Sequence, residues 1–198
     1  MNLEEYRNEI DWLIINGLDE NISNGSVEHA AVIIERMFKH ARHSIKILTR
    51  TFDPQIFGQP DVIQYAETFL ADTKNRSVEI LVEEYNQAYN NSHPFVTRFG
   101  HMPNVAISEL PKGLGAKIDT NFAVMDSQGV RMETERGSPK AFANFGDSAF
   151  AMKLNAFFNA ISSIGNSING INKALVDGIG QAAVAGPISF TTKDAPER

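Results

Sequence analysis

The sequence predicts an α/β domain with a mixed, mostly parallel sheet flanked by helices and an amphipathic helical extension at each end. Three observations carry this. Segments with apolar residues at helical spacing alternate with short β-rich runs from residue 26 onward. The runs HSIKILT (43–49) and SVEILVE (77–83) are strand-length, and the near-continuous apolar character of the second fits a strand buried on both faces. Helix–strand–helix–strand order at these lengths builds right-handed crossover units, which place strands parallel.

Taken in order, Leu3, Tyr6, Ile10, Leu13 and Ile14 fall on one face and predict a helix over 2–16 that stops at Gly17. A polar loop containing the turn dipeptide Asn24-Gly25 follows. Ser26 caps a second helix, with Glu28 in its first turn where the dipole favours an anion. Strand 43–49, a helix over 60–74 opened by Pro60, and strand 77–83 come next. A helical turn near 94–101, strand 104–110 and a hairpin turning at Ser127-Gln128-Gly129 lead to a last helix beginning at Asp147 or Ser148. The divisions are an N-terminal helix and loop (1–25), the α/β domain (26–164) and a Gly/Ser/Asn-rich amphipathic tail (165–198).

The chain has 198 residues, 42% of them hydrophobic and 21% charged, which suits one domain with a substantial core. A net charge of −6 argues against general nucleic-acid binding, which depends on neutralising phosphates. With no cysteine, disulfides and thiolate metal sites are excluded. No signal-peptide pattern and no run approaching about 18 apolar residues is present, so a cytoplasmic location is the expectation.

At the hairpin, Asp126 precedes the turn, Asn121 lies five residues before it and Asp119 seven before. Farther on, Asn144-Phe145 stands in AFANFGDSAF. Together with the order of elements, this resembles one lobe of the phospholipase D-like superfamily over roughly residues 26–164. Members carry His-x-Lys-x4-Asp at the hairpin and a Gly-Ser-x-Asn segment after it. The resemblance implies a phospholipase D-like fold in which Asp119 replaces the nucleophilic histidine and Asn121 the charge-neutralising lysine, with Asp126 and Asn144 as the other motif positions. An aspartate would bring negative charge toward an anionic phosphodiester, and losing nucleophile and clamp together costs more than the ~10²–10³ of one oxyanion donor. The resemblance therefore implies a pseudoenzyme with no catalytic residues, no cofactor and no bound metal.

Other candidates are weighed on chemistry alone. Arg36, Lys39, Arg42, Lys46 and Arg50, with His40 and His43 among them, offer an anion-binding patch or simply a solvated helix end. His93, His101 and Arg98 offer a phosphate or metal site or ordinary loop residues. Asp119, Asp126, Glu133 and Glu135 offer Mg²⁺ ligands or the wet side of a hairpin. Phe150, Phe157 and Phe158 at helical spacing read as core. Ile161, Ile164, Ile168, Ile171, Leu175 and Ile179 continue an apolar stripe through a glycine-containing segment whose helix is weak alone, so something must bury it.

The functional expectation is a non-catalytic binding or scaffold module that self-associates, as a homodimer, or docks a protein partner, using the apolar stripes over 3–14 and 161–179. No nucleic-acid partner is expected. The alternatives are a membrane-associating protein using the C-terminal segment and a residual metal-dependent phosphodiesterase or nuclease.

Overall fold

Helix α1 (Leu3–Asn16) starts where Asn2 and Glu5 close a reciprocal capping box and stops at Gly17, whose φ of 58° is the left-handed conformation glycine adopts without strain. The computed structural model describes residues 2–84, 92–110, 113–133, 135, 138 and 140–168. After a short strand β1 (Ile22–Asn24), the Ser26 hydroxyl accepts from the His29 amide at 3.2 Å and opens α2 (Val27–His40). Residues Ala30 to Phe38 of α2 are buried all round, because the helix is enclosed by the sheet, α1 and α4.

The chain continues through β2 (Ser44–Thr49), α3 (Pro54–Phe57), α4 (Pro60–Leu70), β3 (Ser77–Val82), α5 (Pro94–Phe99) and β4 (Val105–Glu109). A 3-10 turn (Gly115–Lys117) precedes β5 (Phe122–Met125), β6 (Gly129–Glu133), β7 (Ala141–Asn144) and the long α6 (Ser148–Ile168).

These strands form one sheet in the order β1-β7-β6-β5-β2-β3-β4. Only β2–β3 and β3–β4 are parallel; β1–β7, β7–β6, β6–β5 and β5–β2 are antiparallel. The sheet is thus mixed and mostly antiparallel, correcting the expected parallel majority. Helical crossovers link only the first three long strands, and the tight turn between β5 and β6 can join strands only in the antiparallel sense.

Two apolar layers cover the sheet. Ile45, Ile47, Val78, Ile80, Ala123 and Met125 pack beneath α1, α2 and α4, while Leu48, Leu81, Phe122, Val124, Val130 and Met132 pack beneath α6. The N-terminal stripe belongs to the first layer: Tyr6, Ile10 and Leu13 are buried in it. The expectation that the stripe over 3–14 stands free for self-association is corrected accordingly. Leu3, Trp12 and Ile15 remain exposed. Among the described residues, no helix is long and apolar enough to cross a membrane.

Candidate functional site

A cavity of about 240 Å³ lies on the α2 face of the sheet, at the C-terminal end of β2. Thr49, Thr51 and Asp53 come from β2 and the loop after it, Asn121 from the approach to β5, and Arg131 and Glu133 from β6. Val27, Ile56 and Phe57 close it from α2 and α3. Side-chain alternation explains the mixture. On β6, Val130 and Met132 enter the layer under α6, which turns Arg131 and Glu133 to the opposite face.

The polar groups form a short chain. The Asn121 amide nitrogen donates to Glu133 Oε2 at 2.6 Å, and Asn121 Oδ1 accepts from the Arg50 backbone N–H at 2.9 Å. Arg131 Nη1 donates to Glu133 Oε1 at 3.3 Å. Arg131 is 3% exposed, and its Nε and Nη2 have no hydrogen-bond partner among the described residues. Burial presses the guanidinium below its usual pKa, with the Glu133 charge opposing. Burial also holds the Tyr6 phenol well above its usual value, against the nearby charge of Arg131.

The motif positions do not converge. Asp119 is exposed. Asp126 lies five residues from Asn121, about 16 Å along an extended strand, at the other end of the sheet. There, at φ 55°, its carboxylate accepts the backbone N–H groups of Arg42, His43 and Ser44 at 3.0, 2.8 and 2.9 Å. Asn144 pairs in register with Val130 and so belongs to the Asp126 end as well. It accepts from the amides of Gly146 and Asp147 and donates to Asp19 and Asn21. Asp119, Asp126, Glu133 and Glu135 therefore do not surround one point, and a shared Mg²⁺ site on them is ruled out by the register.

The basic residues do not make a patch either. Arg36 is buried and pairs with Asp11 and Glu35, while Lys39 and His40 meet the same Asp11 carboxylate at 2.5 and 2.7 Å. Lys46 lies on the α6 face beside Asn159 and Glu79, Arg50 pairs with Glu84, and Arg42 is exposed. His93 is buried, stacked on Phe52 at 4.6 Å, and its Nδ1 accepts the Phe95 amide at the start of α5. His101 is exposed and Arg98 pairs with Glu67, so this trio forms no common site.

Phe158 is buried under the sheet, with Phe150 and Phe157 packed against the same layer. Ile161 is buried in that layer and Ile164 is half-buried. Ile168 ends α6, and Ile171, Leu175 and Ile179 lie outside the described residues.

The residue that sequence reasoning missed is Arg131. The sequence shows only a lone cation inside the strand pattern VRMETE, and its burial follows from the strand's having neighbours on both sides.

Comparison with known proteins follows this geometry. Residues 26–166 match the family described as "Domain of unknown function (DUF7931)". A search of curated proteins finds no match. Among solved structures, NucT from Helicobacter pylori is similar at 14% identity, over 73% of this chain and 96% of that one, with a TM-score of 0.53. Polyphosphate kinase from Porphyromonas gingivalis is similar at 11% identity and a TM-score of 0.53, over 81% of this chain and 27% of that one. Both are phospholipase D-like, and the likeness establishes the fold.

TrmBL2, titled an archaeal chromatin protein with a novel mode of DNA binding, is similar at 13% identity and a TM-score of 0.53, over 80% of this chain and 58% of that one. This corrects the expectation that excluded nucleic acid: the fold accommodates a DNA-binding protein, and net charge does not decide the matter.

Proposed function

The chain belongs to the family described as Domain of unknown function (DUF7931), and we propose that it is a non-catalytic binding or scaffold module built on a phospholipase D-like lobe. The observation that carries this reading is the state of Asn121. Where the resembled enzymes place a lysine, this side chain is buried and held at both ends, by the Arg50 amide and by the Glu133 carboxylate. An amide fixed in that way braces β5 against β2 and β6 and supplies no positive charge to a phosphoryl oxygen. Asp119, at the nucleophile's position, offers an exposed carboxylate that repels an anionic diester. Ile161 is already buried against the sheet, and the apolar spacing that continues past it favours self-association or a protein partner as the mode of action.

Turnover of bis(p-nitrophenyl) phosphate, with and without Mg²⁺ or Mn²⁺, tests the catalytic half of this reading. The expected rate is background, unchanged in Asp119→Asn; turnover that disappears in that variant overturns the proposal. Light scattering on the full chain and on a version ending at Ile164 tests the scaffold half. An assembly that dissociates on truncation supports it, and a monomer unaffected by truncation removes self-association.

A further inference from the structure

The sheet ends differently on its two sides. Edge strand β1 has three residues, and its short length leaves little for another chain to pair with. Strand β4 closes the other side with five residues, VAISE, in unbroken register with β3 from Val78↔Val105 to Val82↔Glu109. It contains no lysine, no proline and no bulge, the devices that keep a free edge from pairing. Ala106 and Glu109 are exposed, and Val105, Ile107 and Ser108 are half-buried.

Two hydrogen bonds fix which backbone groups face outward. The Val78 N–H donates to the Asn104 carbonyl at 2.9 Å, and the Leu110 N–H donates to the Val82 carbonyl at 2.8 Å. In a parallel pair alternate residues turn both N–H and C=O to the neighbour, so the even-numbered residues of β4 serve β3. Val105, Ile107 and Glu109 point theirs away from the sheet, where no described strand lies. The Val105 N–H is met by the Met102 carbonyl at 3.1 Å, and the groups of Ile107 and Glu109 continue the row.

This row is complementary to itself. About a two-fold axis at Ile107, that residue meets Ile107 of a second copy and Val105 meets Glu109, so outward groups face outward groups. The same axis sets Ala106 opposite Ser108, small side chains that let the strands close to the ~4.8 Å spacing of a sheet. Charge agrees with this arrangement. Glu109, the strand's one charged residue, faces a valine rather than another carboxylate. It also approaches the opposite end of the second copy's edge, where Arg76 stands just before β3 with its guanidinium over the Phe69 ring. Phe69 belongs to the layer that Val105 and Ile107 pack against, which is the side of the sheet that Glu109 shares by alternation. Another protein's strand would gain the same backbone bonds; the inverted match of charge and side-chain size is what a second copy of this chain supplies.

We propose that β4 pairs antiparallel with β4 of a second copy about a two-fold axis at Ile107, joining the two seven-stranded sheets into one. This rests on the reading of the lobe as a self-associating module and names the strand through which it associates. Five residues a side fall short of the about 20–30 of a stable interface. The edge therefore sets the register of an assembly whose remaining area lies elsewhere, in accord with dissociation on truncation at Ile164.

Sedimentation equilibrium of the full chain tests it, with two double variants that differ at one position. Ala106→Lys with Ser108→Lys sets lysine opposite lysine across the axis and raises the dimer dissociation constant about tenfold. Ala106→Lys with Ser108→Glu sets each lysine opposite a glutamate and restores the original constant to within about threefold. Where the lysine variants do not fold, Ile107→Pro serves: it removes an outward N–H, leaves the β3 ladder intact and brings the same loss. Equal dissociation constants in the two double variants, or an Ile107→Pro chain that associates like the original, overturns the proposal and leaves the scaffold reading standing. A full chain that is monomeric at every concentration overturns the proposal and self-association together.

Discussion

The two ends of strand β5 carry residues of similar chemistry and treat them in opposite ways. At the Asp126 end one carboxylate collects three backbone N–H groups, and Asn144 makes four hydrogen bonds that tie the start of α6 to Asp19 and Asn21, while the Oδ1 of Asn155, whose amide donates to the Asp126 carbonyl, is buried without a partner among the described residues. At the Asn121 end a buried guanidinium keeps two nitrogens without acceptors among the described residues, next to a cavity. Buried polar groups in folded proteins are nearly all hydrogen-bonded, so the two ends differ in how far they meet that rule. The Asp126 end thus ties β2, β5 and the start of α6 together through one carboxylate and one amide, and the Asn121 end holds the cavity, although the resembled motif would point to both.

Substitutions at the closed end should show the largest effects. Asp126→Ala removes three charge-assisted hydrogen bonds at the start of β2 and should cost about 3 kcal/mol in urea unfolding. A cost near zero would mean that this end is not the brace described here. Gly146→Ala should cost about 2 kcal/mol, because its Cβ would lie 2.4 Å from the backbone of Leu18 and Asp19.

At the open end the informative quantity is coupling. Arg131→Leu and Glu133→Gln should each destabilise, and the double variant should cost less than their sum by about 1 kcal/mol, since each single change strands the other partner. Strict additivity would deny that the pair acts as a unit.

The smallest effect concerns pH and the α3–α5 wall. Burial holds His93 below the usual histidine pKa. The unfolded chain therefore takes up a proton that the folded protein refuses, and stability should fall as pH drops below about 6.5. In His93→Asn, which retains a capping side chain, that slope should flatten.

Much of the architecture was legible because long periodic segments report their own packing. Leu3 to Ile14, Val27 to Ala41 and Phe150 to Ile161 carry a 3.6-residue period that solvent exposure alone would not preserve. Strands β1 and β7 escaped notice since three or four residues, with Ser23, Asn24 and Asn144 among them, cannot establish a period. The sheet's sense was misjudged for a related reason: local patterns show that a strand exists, whereas its direction follows from which neighbour it pairs with.

The site was less legible than the fold. Asp126 and Asn121 drew attention through their spacing, yet spacing alone could not show that a four-residue strand holds them at opposite ends. Arg131 lacked a motif, and its importance follows from burial with too few acceptors, a property of three-dimensional packing.

The central claim, that the Asp126 end braces the fold, is tested most directly by amide hydrogen exchange in ¹⁵N-labelled full-length protein. The expected outcome is slow exchange at Arg42, His43 and Ser44, whose N–H groups the Asp126 carboxylate accepts, that becomes fast in Asp126→Ala. Exchange at these three amides unchanged by the substitution would contradict it.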